Sequence, residues 1–293
     1  MSQAPLRLKF SRPPQSGTRY LAIATSRKPV RLGSGETIPE MEAVQAPRAT
    51  NRSHLRRYRE VCQLTAADSV PLTYPHVLAA PAQLALLSSK AFPLRLLGLV
   101  HLRNEIVQYA SISVSDRLAL RISAGGHRDT DMGQEFDIVT RVTRGDELVW
   151  LETSTALART PREERQQRAG RSGSKASAPG GKHVSWQAAE DAGRKYARVS
   201  GDYNPIHLFG ATARWFGFRQ PIAHGMWTLA RCLGELEKDC PDGRCSVRTV
   251  FGKPFYLPGW SVLTSESDGA NLHYRLSDPE FRRDFLSGTI EQF

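Results

Sequence analysis

The stretch Ser200-Gly201-Asp202-Tyr203-Asn204-Pro205-Ile206-His207, followed by Pro221-Ile222-Ala223-His224-Gly225-Met226, decides how this chain is read. Gly201 permits a sharp exit from a preceding helix, and Asn204-Pro205 sets a rigid bend. Asp202 and His207 therefore sit on a constrained loop. A bend over five positions can bring a carboxylate and an imidazole onto opposite sides of one small molecule. Such a pair can hold a water, take one proton and deliver another. By itself the loop is weak evidence, because Asx-turns before proline are common and a lone loop histidine is usually just hydrogen-bonded. The second segment adds to it. Gly225 opens an apolar helical pattern, so its N–H is an unpaired donor at a positive helix end.

Working outward, Met226, Leu229, Leu233 and Leu236 recur at helical spacing while Glu235, Glu237 and Lys238 are polar, and Pro241 is expected to stop the helix. A shorter helix is expected before the loop, with Ser185 as its N-cap and Ala189, Ala192, Tyr196 and Val199 as its buried stripe. The first half of the chain looks like a distant copy. Val70-Pro71-Leu72-Thr73-Tyr74-Pro75-His76-Val77-Leu78 leads into an apolar helix much as the segment around Pro221 does. That first helix should be bent or shortened by Pro81. Strand-like runs follow each helix. Residues 134–142 and 148–156 flank the turn Arg144-Gly145-Asp146-Glu147, and Leu272, Tyr274 and Leu276 alternate after Ser267-Asp268-Gly269. A helix followed by antiparallel strands, twice over, predicts an α+β protein of two similar domains.

The 293 residues are 40% hydrophobic, enough for a substantial core, and the longest greasy stretch is too short to span a bilayer. No membrane association is expected. The net charge of +11 is concentrated near Arg52–Arg59 and in the Arg- and Lys-rich middle of the chain. Neither cluster interleaves aromatics on an ordered element, so no nucleic-acid partner is expected; an acidic carrier protein or the phosphates of coenzyme A suit the surplus better. Cys62, Cys232, Cys240 and Cys245 form no C-x-x-C pair. Free thiols and no secretory signal favour a cytoplasmic protein. Residues 159–182, rich in Arg, Gly, Ser and Pro, read as a basic linker between domains at 52–158 and 183–293. Residues 1–51 read as an N-terminal extension, loosely attached.

The blocks Ser200–His207, Phe216-Gly217-Phe218, Pro221–Met226 and Lys253-Pro254-Phe255-Tyr256-Leu257-Pro258-Gly259 resemble, in order, the R-specific enoyl-CoA hydratases (hydratase 2, MaoC-like). Val70–Pro75, Phe92-Pro93 and Gly98-Leu99-Val100-His101 resemble the amino-terminal half of the double-hotdog (3R)-hydroxyacyl-thioester dehydratases. The resemblance covers residues 52–293. It implies two hotdog domains, each a long helix wrapped by an antiparallel sheet, with no cofactor. It also implies a role in fatty-acid metabolism: reversible syn hydration of trans-2-enoyl thioesters to (3R)-3-hydroxyacyl thioesters.

Residue by residue, the resemblance makes Asp202 and His207 the acid/base pair, Asn204 the residue that orients them and Gly225 the oxyanion donor. The toolkit suits the chemistry, since dehydration removes an α-proton and builds an enolate oxygen that needs a donor. Pro221, Ile222, Ala223, His224, Met226 and Phe216 are the candidate substrate-contacting residues, and Trp215, Phe218 and Trp227 are expected in the core or the acyl tunnel. The first half lacks Asn-Pro-x-His and carries Tyr74-Pro75 where His224-Gly225 stands later, so it is expected to be non-catalytic. A metal on Asp202, His207 and His224 fits no standard zinc spacing and is not expected. The substrate carrier is coenzyme A or acyl carrier protein, and the chain a monomer or a homodimer. A hotdog thioesterase and a non-catalytic acyl-CoA-binding protein are the alternatives.

Overall fold

A computed structural model describes residues 5–15, 17–65, 67–159, 180–237 and 243–293. Its strands are β1 (Leu6–Phe10), β2 (Met41–Ala49), β3 (Leu99–Gln108), β4 (Arg117–Thr130), β5 (Gly133–Arg144), β6 (Glu147–Arg159), β7 (Lys182–Ala188), β8 (Cys245–Phe251), β9 (Gly259–Ser267), β10 (Asn271–Ser277) and β11 (Asp284–Gln292). The helices are α1 (Gly17–Ala24), α2 (Arg52–Cys62), α3 (Tyr74–Leu87), α4 (Ala192–Ser200), α5 (Gly210–Trp215) and α6 (Gly225–Glu235).

The strands form one sheet in the order β1-β2-β4-β5-β6-β3-β8-β11-β10-β9-β7. Its two halves follow the same rule. β2-β4-β5-β6-β3 and β7-β9-β10-β11-β8 repeat one connectivity, and the copies meet where β3 and β8 pair antiparallel, with Arg103 opposite Val250 and Gln108 opposite Cys245. The duplication read from the sequence is thus a duplication of topology. β5 and β6 pair antiparallel along their length, and the hairpin between them turns at Gly145, whose φ of 59° suits a two-residue loop. α3 packs against β2, β4 and β5 of the first half, and α6 meets the second half through Trp227, whose ring contacts Trp186 of β7, giving the double hotdog.

Three expectations need correction and one is narrowed. The described part of residues 1–51 is not a loose arm. β2 fills in the first half the place that β7 fills in the second, β1 pairs parallel with it, and Leu32 exchanges two hydrogen bonds with the Gln134 side chain at 2.7 and 3.1 Å. Ser185 is not a helix cap but the middle of β7, opposite Val262; Ala189 is exposed, and α4 begins later, at Ala192. Of the two effects expected of Pro81, shortening does not occur: α3 continues through it for 14 residues. Buried Val77 and Ala79 before it and Ala82, Ala85 and Leu86 after it pack on the core, offsetting the cost of about 3 kcal/mol that an interior proline carries. α6 ends at Glu235 with Leu236 as its C-cap. Lys238, Cys240, Pro241 and linker residues 160–179 lie outside the described residues. Cys62, Cys232 and Cys245 are buried free thiols. Among the described residues no helix is long and apolar enough to cross a membrane.

Candidate active site

α4 is amphipathic and buries Tyr196, Ala197, Val199 and Ser200. It stops at Gly201, whose φ of 75° makes a left-handed cap. The following bend is wound by side chains taking backbone amides. Ser200 Oγ accepts from Asp202 N–H at 3.1 Å, Asp202 Oδ1 from Asn204 N–H at 3.0 Å, and Asn204 Oδ1 from Ile206 N–H at 3.4 Å. Pro205–His207 is then one 3-10 turn. The bend lies hard against α4. A Cβ on Gly193 would stand 2.1 Å from the carbonyl oxygen of His207, so only glycine lets the two backbones meet there.

The second segment is tied to the first by an exchange of histidines. His207 Nδ1 lies 2.8 Å from the carbonyl of Ile222, and His224 Nε2 lies 3.1 Å from the carbonyl of Asp202. Carbonyl oxygens only accept, so each of those nitrogens carries its hydrogen and donates. The rings stack with centroids 3.7 Å apart and 26° between planes. His224 Nε2 is also 3.8 Å from Asp202 Oδ2. Both rings are buried, whereas the Asp202 side chain is 48% exposed and lines a cavity of about 250 Å³.

The charges follow from these surroundings. Burial pushes both imidazoles down, His224 to about 3 with help from His207; for His207 the Asp202 charge and the Ile222 carbonyl oppose the shift without reversing it. Partial removal from water inside the cavity would raise the Asp202 carboxyl, but His224, His207 and the Asn204 amide outweigh it and hold it below the usual carboxylate range. At neutral pH the site therefore holds a carboxylate beside two neutral imidazoles, and the bare lone pair of His207 is on Nε2. Ligand atoms of Asp202, His207 and His224 lie within 4.8 Å of one another. Near-parallel stacked rings, however, aim their lone pairs side by side rather than at one point, which is poor geometry for a metal ion and good geometry for proton transfer.

Gly225 begins α6, so its N–H has no intrahelical acceptor, and among the described residues none is paired with it. The ring of Phe251 comes within 3.0 Å of where a Gly225 Cβ would stand. The same cavity brings together Asp202, Asn204, His207, Ile222, Ala223, His224, Gly225 and Met226. Phe218 and Lys253 are on its wall too. Pro221 is buried behind the wall, its carbonyl taking the Leu257 N–H at 2.9 Å, and Phe216 is half-buried off it. Trp227 packs in the core, but Trp215, expected there or in the tunnel, is 81% exposed.

Five contributors were not evident from the sequence. Tyr20 of α1 donates to the Gly201 carbonyl at 2.5 Å and accepts from Tyr203 N–H at 3.0 Å, bracketing Asp202. Gly193 sets the contact described above. From the first half, His76 and His101 reach the cavity, and Glu152 holds His76. A carboxylate on the inward face of β6, in phase with Trp150, was the available signal for the last. The place in the first half that matches this cavity, between residues 69–73 and the far end of α6, is a smaller hollow of about 140 Å³ whose walls hold no carboxylate–imidazole pair among the described residues.

A family model described as "MaoC like domain" matches residues 160–256. The chain is 36% identical over 225 residues to 3-hydroxyacyl-thioester dehydratase X of Mycobacterium tuberculosis, covering 74% of this chain and 77% of that one. A shorter match, 31% over 98 residues, joins it to the peroxisomal enoyl-CoA hydratase 2 of Arabidopsis thaliana, covering 32% of each. The crystal structure of HtdX from M. tuberculosis superposes with a TM-score of 0.74 at 28% identity, covering 86% of this chain and all of that one.

Proposed function

This chain belongs to the MaoC-like dehydratase family, and from that premise we propose that it interconverts trans-2-enoyl and (3R)-3-hydroxyacyl thioesters by syn addition and loss of water between Asp202, His207 and Gly225. It is a hydro-lyase of fatty-acid metabolism. The observation that carries the assignment of roles is the exchange of hydrogen bonds between the two segments. It leaves His207 with a free Nε2 beside an ionised Asp202, on the wall that also presents the Gly225 amide.

In the dehydration direction His207 Nε2 takes the α-proton, and the electron pair moves onto the thioester oxygen, held by the Gly225 N–H at the positive end of α6. The enolate then expels the β-hydroxyl. With Asp202 ionised and His207 neutral at rest, the pair has no proton to spare. The proton removed from Cα is therefore the one that leaves with the hydroxyl as water, passed from His207 directly or by way of Asp202. Hydration runs the same path backwards. Asn204 keeps the Asp202 carboxylate aimed, its own N–H holding Oδ1.

The same reading gives the chemistry to the second half, residues 183–293, and a supporting role to 52–158, with β2 added at its start. It takes the substrate as an acyl thioester of coenzyme A or acyl carrier protein, requires no cofactor, and places the protein in the cytoplasm as a monomer or homodimer. The junction of β3 and β8 already supplies the pairing that a single hotdog domain gains by dimerising.

The test is to purify folded Asp202→Asn and His207→Asn and follow crotonyl-thioester absorbance together with free thiol. Loss of hydration by roughly two to four orders of magnitude in each variant is expected. Undiminished hydration in both, or thiol release in place of hydration by the unaltered protein, would remove the proposal.

A further inference from the structure

The first half carries a buried polar cluster for which the hydration chemistry has no use. Glu152 on β6 is fully buried, and both its oxygens meet His76 Nδ1, at 2.8 and 2.9 Å. Asn104 Nδ2 donates to the same carboxylate at 2.8 Å and to Ser154 Oγ at 3.0 Å. A carboxylate only accepts, so His76 Nδ1 carries a hydrogen and its ring is fixed in one orientation. His101 on β3 lies alongside, its ring 6.4 Å from that of His76 and within 15° of parallel. Its Nε2 is buried and, among the described residues, has no hydrogen-bond partner.

Both rings are on the wall of the cavity that holds Asp202 and His207. His101 rests on Phe251 at 4.6 Å between centroids, and Phe251 is the ring beside Gly225. The cluster thus begins two ring contacts from the thioester end of the proposed site. Ion pairing in a protein interior is expensive, and a buried nitrogen without a partner adds to the cost. A tunnel for plain hydrocarbon would need neither.

We propose, resting on the hydratase reading, that His76 and His101 form a subsite for a hydroxyl group carried on the acyl chain. His76 donates its Nε2 hydrogen to the hydroxyl oxygen, and the hydroxyl donates its own hydrogen to His101 Nε2. The charge states agree with these roles. Burial alone would lower His76, but the Glu152 carboxylate against Nδ1 reverses that and raises it, which favours the form with a hydrogen on both ring nitrogens. Burial and the neighbouring His76 push His101 down to about 4, so its Nε2 is a lone pair while the Arg103 backbone engages the ring. One donor and one acceptor side by side match a hydroxyl, which is both, better than a carbonyl or a methyl.

The experiment compares 2-enoyl-CoA substrates of equal chain length, ending in a methyl or in a hydroxyl, across a series of lengths. The ratio of their kcat/KM values is taken within each protein, so neither the folded fraction nor the basal rate enters. The unaltered chain is expected to favour the hydroxylated substrate by about ten-fold or more at one length. That ratio should fall to near one in His101→Leu and in the double variant His76→Leu/Glu152→Leu, which leaves no unpaired carboxylate. It should persist in His76→Gln, which keeps an N–H donor. Equal ratios in the unaltered chain and the variants would overturn the subsite. So would variant effects that appear on coenzyme A esters whatever the acyl group and vanish on N-acetylcysteamine esters, since the cluster would then serve the carrier arm. Failure of the unaltered chain to hydrate any of these substrates would instead bring down the hydratase reading beneath the subsite.

Discussion

Tyr20 and Gly201, far apart in sequence, are joined by a 2.5 Å hydrogen bond from the tyrosine hydroxyl to the glycine carbonyl. The Tyr20 hydroxyl oxygen in turn accepts the Tyr203 N–H at 3.0 Å, and the Tyr20 and Tyr203 rings meet edge to face at 5.8 Å. The amino-terminal region thus holds the peptide on each side of Asp202, and burial together with the Asp202 charge raises the Tyr20 hydroxyl far from ionisation.

Tyr20→Phe keeps the ring and removes both hydrogen bonds. About a ten-fold fall in kcat is expected, the equivalent of ~1.4 kcal/mol, with KM little changed, because the loop would lose its aim rather than its substrate contacts. Steady-state kinetics on a crotonyl thioester decide it. A variant with unaltered kcat would mean that Tyr20 merely covers the loop.

His224→Phe preserves an aromatic ring against His207 while deleting the N–H given to the Asp202 carbonyl. Freed of that tie, the carboxylate should wander, and kcat should drop by about ten- to a hundred-fold. Near-normal turnover would show that stacking alone maintains the geometry.

The pH dependence has a definite sign. The base must be neutral to take a proton, and the His207 value is lowered by burial below the ordinary 6.5. Log kcat/KM should therefore be level through neutrality and bend downward only on the acid side of pH 6.5. Asp202, held below its ordinary 3.8, should add no limb in the range where the protein stays folded. An acid limb centred above pH 6.5 would contradict the assignment of charge states.

Gly193→Ala would push a methyl to 2.1 Å from a backbone oxygen, which has no flexible end to swing away. The bend carrying His207 would have to shift, with a stability loss of about 1–3 kcal/mol and a larger loss of activity. Gly210→Ala, at the start of α5 with open space around the added methyl, is the control and should leave the melting temperature in place.

What could be read from sequence was what is encoded locally. The loop from Gly201 to His207 announces itself because its glycine, Asx side chains and proline each act on neighbours two or three residues away. The β5–β6 hairpin was visible for the same reason. β2 was not, because Pro47 and its polar neighbours spoil the alternation; the strand slips register between Gln45 and Arg48 and exists through its pairing with β4. β7 was mistaken for the approach to a helix since Ser185 suits either role, and only β9 decides between them. Tyr20 with Gly201, and His76 with Glu152, are meetings of distant segments to which no local rule points.

The two halves repeat one topology, yet the hollow that matches the working cavity is about 140 Å³ against about 250 Å³ and has no proton-transfer pair among the described residues. Occupancy should therefore count polypeptides rather than hotdog units: a tight-binding mimic of the enolate would saturate at one equivalent per chain, and its titration curve would show a single class of site.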